Sequence, residues 1–91
     1  MATAGAIATL GATPVLADID DSLTLSPEAL EKKITNKTKA IIPVHMDGLP
    51  CDMHKISDIA NQYNLKIVED AAQAFGGTFK GQHLGTFGEV G

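Results

Sequence analysis

Leu65-Lys66-Ile67-Val68-Glu69-Asp70, continuing as Ala71-Ala72-Gln73-Ala74-Phe75-Gly76, decides how this 91-residue chain is read. An apolar run that is continuous and ends in acid is the pattern of a parallel strand covered on both faces. It carries Asp70 to the carboxyl edge of a sheet and sets the amide Gln73 one helical turn further on. In open α/β sheets that edge is where ligands sit. A carboxylate withdrawn from water there needs a cationic or hydrogen-bonding partner. Asp70 is therefore the first candidate for a ligand contact, and Gln73 rises with it.

Working outward, Lys39 to Val44 is a second continuously apolar strand, with Pro43 near its end where a lost donor matters less. Between the two strands Asp52 caps a helix in which Met53, Ile56, Ile59, Ala60 and Tyr63 recur at helical spacing, and Asn64 closes it. A connection that contains a helix fits a right-handed crossover between parallel neighbours. Upstream, Ser26-Pro27-Glu28 supplies a capping hydroxyl, a proline at the first helical position and an acid in the first turn. That helix is expected to run to about Ile34. Pro14 to Ile19 is expected as a further buried strand, and Ala2 to Leu10 as the tail of a helix that Gly11 ends. Thr78 to Leu84 is expected as a small hairpin about Lys80-Gly81.

The fold class is thus α/β: a partial, mostly parallel sheet with flanking helices. A helix tail opens the chain and Gly85 to Gly91 closes no element, so residues 1–91 read as the central part of a larger domain, incomplete at both ends. Composition removes several function classes. All seven basic residues are lysine against eleven acids, so arginine's bidentate phosphate and guanine contacts are lacking and nucleic-acid binding is not expected. The apolar stretch Ala4 to Ala17 is broken by Gly11 and Pro14, has no basic leader and falls short of the roughly 20 residues of a membrane span. Neither a membrane nor a targeting signal is read. Cys51 is the sole cysteine, which precludes an intrachain disulfide and points to the cytoplasm.

Several segments in order carry a resemblance. Ala40-Ile41-Ile42-Pro43-Val44-His45-Met46-Asp47-Gly48-Leu49-Pro50-Cys51-Asp52-Met53, then Val68 to Gly76, then Lys80-Gly81 and Gly85-Thr86-Phe87-Gly88, together with Gly11 to Val15 and Asp18-Ile19-Asp20, resemble the DegT/DnrJ/EryC1/StrS family of pyridoxal-phosphate-dependent sugar aminotransferases. The resemblance implies a fold-type-I large domain. It also implies transfer of an amino group from an amino acid, usually glutamate, to a keto sugar nucleotide, by a homodimer whose sites draw on both subunits.

By that resemblance Asp70 pairs with the pyridine nitrogen of pyridoxal 5'-phosphate, whose protonated ring draws electrons from the substrate. Gln73 hydrogen-bonds the phenolic oxygen, and His45 supports the site from behind. The family's Schiff-base lysine and a phosphate-contacting serine lie beyond the sequence that aligns with Gly91. Lys32, Lys33, Lys37, Lys39, Lys55, Lys66 and Lys80 match no catalytic position. No catalytic residue is assigned, and the chain alone is expected not to transaminate.

Rival readings weigh less. Asp18, Asp20 and Asp21 beside Asp70 would suit a magnesium-dependent phosphoacceptor of the receiver type. Such a domain needs much more α/β chain after the acceptor, and loop capping explains these acids. Asp70 itself has a plain alternative as a cap on the following turn. His45, Cys51 and His54 lack paired metal-ligand spacing, so no metal is expected. Gly76, Gly77, Gly81, Gly85, Gly88 and Gly91 open no helix after a first strand, so they read as turn formers and not as a phosphate cradle. A noncatalytic interaction fragment is the third alternative, since uncovered sheet edges promote association.

Overall fold

In the computed structural model, residues 2–91 are described. Helix α1 spans Ala2–Thr9, α2 Pro27–Lys33 and α3 Met53–Tyr63; the strands are β1 Ala40–Ile41, β2 Lys66–Ile67, β3 Thr78–Phe79 and β4 Gln82–His83. Each helix ends where its local chemistry says it should. After α1 the chain turns through Gly11 at φ 81°, and the Ala12 N–H reaches back to the Ile7 carbonyl. The Ser26 hydroxyl accepts from the Ala29 N–H at 3.1 Å, and the Asp52 carboxylate from the Lys55 N–H at 3.1 Å. Asn64 closes α3 in the left-handed region.

β1 and β2 are parallel, with Ala40 opposite Lys66 and Ile41 opposite Ile67, and α3 lies in the crossover. Past the short ladder the two segments run on side by side to a bridge between Val44 and Asp70 in the same register. The break between has a simple cause. The Val68 N–H bonds the Ile41 carbonyl at 3.0 Å and the Asp70 N–H bonds the Pro43 carbonyl at 2.9 Å, but Pro43 has no N–H for the rung between them. On the other side of β2 a bridge joins Val68 to Val90, and the Glu69 N–H donates to the Val90 carbonyl at 2.8 Å. The closing segment thus adds to the sheet, contrary to the expectation that it closes no element.

One segment differs more. Pro14 to Ile19 is not a strand: its single bridge is the antiparallel pair Ile19 with Leu25, and Val15 and Leu16 are exposed. An extended segment persists only where a neighbour takes its backbone groups. Among the described residues none bonds the backbone of Pro14 to Ala17.

The core sits on one face of the sheet. Ile41 and Ile67 meet Leu30 of α2 and Met53, Ile56, Ile59 and Ala60 of α3. The hairpin β3–β4 turns through Lys80 and Gly81, both at positive φ, which is the two-residue turn whose twist matches its strands. Among the described residues no helix is long and apolar enough to cross a membrane.

Candidate functional site

Strand alternation sorts the acidic strand end into two environments. Ile67 and Glu69 are buried, while Val68 and Asp70 turn to the opposite face. There Ile42, Val68, Asp70, Phe75 and Leu84 line an open cleft of about 840 Å³, with Thr3 of α1 across it. That size lies within the range of about 300–1,000 Å³ usual for small-molecule sites.

Asp70 is half-buried at the floor of the cleft. Its Oδ2 accepts from the Thr3 hydroxyl at 2.6 Å and its Oδ1 from the Ala72 N–H at 3.3 Å. A carboxylate has about four acceptor positions, so capacity remains on both oxygens. Among the described residues no cation lies within ion-pair distance of it. The bond to Ala72 is the turn cap of the plain reading, and it leaves the cleft-side capacity unused. A flat heterocycle with a protonated ring nitrogen suits an anionic acceptor set among apolar walls.

Gln73 is exposed and does not line the cleft. Its Oε1 accepts from the Asp47 N–H at 2.7 Å, in the short 3-10 turn Met46–Gly48 where Asp47 has φ 52°. With the carbonyl end engaged, the amide NH₂ is the end left to donate.

His45 is fully buried and is not among the cleft residues; its ring sits between Glu69 and Cys51. Its Nδ1 accepts from the Cys51 N–H at 3.1 Å, so the proton sits on Nε2, which donates to Glu69 Oε2 at 3.0 Å. Glu69 is the hub that sequence reading did not single out. Oε2 also accepts from the Gly85 N–H at 2.6 Å, and Oε1 from the N–H groups of Phe87 at 2.5 Å and Gly88 at 2.7 Å. Burial pushes the Glu69 carboxyl up, but the Gly85 and Gly88 amides, the His45 ring and the Phe87 amide outweigh it and hold the group below its ordinary range. Nothing in local sequence pairs Thr3 with Asp70 or Glu69 with residues 85–88, because both links join distant stretches of chain.

The remaining candidates are accounted for locally. Burial raises the Cys51 thiol, and its Sγ donates to the Val44 carbonyl at 3.2 Å, as befits a packing residue. His54 is exposed, and its ring stands edge-on to Phe79 with centroids 5.2 Å apart. Asp20 accepts from the Ser22 N–H at 2.8 Å within its own turn. All seven lysines are exposed.

The whole of residues 1–91 matches the model of the DegT/DnrJ/EryC1/StrS aminotransferase family. The chain belongs to that family. It is 47% identical to GDP-perosamine synthase of Escherichia coli O157:H7 over 91 residues, which is 99% of this chain and 25% of that protein. The aminotransferase from Psychrobacter cryohalolentis superimposes with a TM-score of 0.93 at 42% identity, over 96% of this chain and 22% of that one. NtdA of Bacillus subtilis, solved with its bound cofactor PMP, superimposes with a TM-score of 0.84 at 40% identity, over 92% of this chain and 20% of that one. The family member described here thus spans about a quarter of the length of these relatives. Its fold is the α/β fold of the fold-type-I pyridoxal-phosphate aminotransferases.

Proposed function

We propose that this chain supplies the pyridine end of a pyridoxal 5'-phosphate site, within the large domain of an aminotransferase that aminates a keto sugar nucleotide. Bound cofactor supplies an electron sink for the amino-group transfer. Asp70 holds a proton on the ring nitrogen, because a carboxylate within hydrogen-bond reach favours the cationic form. Thr3 and the Ala72 amide keep that carboxylate in one orientation. Gln73 stands outside the cleft lining with its Oε1 held by the Asp47 N–H, and on family grounds its NH₂ is the group offered to the phenolic oxygen; His45 acts indirectly, through Glu69 and through its backbone bond to Asp70.

One observation carries this reading: Asp70 presents an incompletely bonded carboxylate at the floor of an apolar-walled cleft, with no cation beside it among the described residues. The name of the Escherichia coli relative favours a nucleotide-linked sugar as substrate. Glutamate as donor, a homodimeric working unit and a cytoplasmic setting complete the proposal on family grounds. The 91-residue chain by itself does not transaminate, since its seven exposed lysines include none in the cleft.

Calorimetric titration of the chain with pyridoxamine 5'-phosphate tests the site, and Asp70→Asn is expected to weaken binding at least tenfold. Equal affinities would remove Asp70 from the assignment. A single-turnover assay with pyridoxamine 5'-phosphate and a keto sugar nucleotide is expected to yield no amino sugar.

A further inference from the structure

Glu69 and Asp70 are adjacent, yet only Asp70 is available to a ligand. All the atoms that meet the Glu69 carboxylate are donors: three backbone amides from one short loop and the Nε2–H of His45. Gathering so many donors requires an acceptor-only group. A glutamine in that place would turn its own NH₂ against N–H groups, and two of the four bonds would become donor against donor. The loop so held lies directly on the sheet. A Cβ on Gly88 would stand 2.5 Å from the Ile67 carbonyl oxygen, and one on Gly85 would stand 3.7 Å from the Ala71 Cβ. Gly85 and Leu84 are also part of the cleft lining, so what anchors the loop anchors a wall of the cleft that Asp70 floors.

We infer that Glu69 is a positioning residue: its buried carboxylate pins Gly85, Phe87 and Gly88 and the His45 ring to the end of β2, and thereby sets the width of the cleft in which Asp70 meets the cofactor ring. The inference rests on the cofactor reading of Asp70. It assigns Glu69 no contact with substrate or cofactor. His45 belongs to the same device, since its ring is held between the Cys51 amide and Glu69 while its backbone N–H holds the Asp70 carbonyl.

Two measurements on the whole chain test it. In the unsubstituted chain, hydrogen exchange followed by NMR is expected to show the amides of Gly85, Phe87 and Gly88 exchanging at one common rate, at least a hundredfold slower than the exposed Gly81 amide. Exchange of these three at the Gly81 rate would overturn the inference without any substitution. In Glu69→Gln, at a temperature where circular dichroism shows the chain still folded, the three rates are expected to rise at least tenfold and the affinity for pyridoxamine 5'-phosphate to fall about tenfold. Unchanged affinity with a released loop would overturn the link to the cleft. If Glu69→Gln does not fold, Glu69→Asp takes its place: it keeps the charge and shortens the reach, and it is expected to release the loop partly and weaken binding by a smaller factor. If the unsubstituted chain binds no cofactor and Asp70→Asn changes nothing, the cofactor reading fails and the cleft link with it. The exchange rates then still decide whether Glu69 pins the loop.

Discussion

The two faces of the β1–β2 sheet differ in what they leave unfinished. On the face toward α3, Ile41 and Ile67 pack into a closed core, and Glu69 is saturated by four donors. On the face toward α1, Val68 is 36% exposed and Asp70 keeps acceptor capacity toward an open cleft. Neighbouring carboxylates on one strand thus take opposite tasks. A carboxylate whose acceptor positions are filled from within the chain holds structure, and one with positions left over can hold a ligand.

Removing each carboxylate breaks the comparison most sharply. Glu69→Ala strands three loop amides and the His45 Nε2–H, and a buried donor left without its acceptor costs about 1–3 kcal/mol, so the four together cost several kcal/mol. Denaturant unfolding is expected to show a loss of that order for Glu69→Ala, with a change below about 1 kcal/mol for Asp70→Asn, whose partners are one hydroxyl and one amide. Equal losses would erase the distinction between the faces. The apolar residues repeat the contrast: Ile56→Ala on the core side is expected to cost about 2–5 kcal/mol, and Val68→Ala on the cleft side well under half of that.

Acid sharpens the comparison by titration. The Glu69 carboxyl is held below its ordinary range in the folded chain, so the unfolded chain binds its proton first as pH falls. Its contribution is fully present above the unfolded value, near about 4.3, and is lost as pH drops through the lower folded value. Unfolding midpoints are therefore expected to hold from neutral pH to about 5 and to fall below about 4, with Glu69→Gln flattening that slope. A slope that Glu69→Gln leaves unchanged would contradict the assignment.

The smallest effects lie at the ends of elements. Ser26→Ala removes the hydroxyl that accepts the Ala29 N–H and is expected to cost about 1 kcal/mol. Lys80→Asn, at φ 48° in the hairpin turn, is expected to stabilise by a few tenths of a kcal/mol, because asparagine tolerates that backbone better. Thermal midpoints resolve both signs.

The same contrast explains what the sequence made legible. Helix starts and stops were local matters: Ser26-Pro27, Asp52, Gly11 and Asn64 each act on their own turn. The parallel pairing of Ile41 with Ile67, the hairpin about Lys80-Gly81 and the arrival of Asp70 at the sheet end followed from runs of adjacent residues. The strand expected at Pro14 to Ile19 depended on a neighbour that no local pattern supplies. Continuous apolarity in β2 suggested two covered faces, yet one of them opens on the cleft. Glu69 read as part of a motif and not as a hub, since its partners lie sixteen to nineteen residues away in a glycine-rich tail. Thr3 was further still, sixty-seven residues from Asp70.

The protonation state of the ring nitrogen tests the central claim most directly. With pyridoxamine 5'-phosphate labelled with nitrogen-15 in the ring and bound to the chain, the ring-nitrogen chemical shift is expected to stay that of the protonated form well above the pH at which the free compound loses its proton. Asp70→Asn is expected to return it to the deprotonated value. A ring nitrogen that titrates identically free, bound and in the presence of Asp70→Asn would contradict the account.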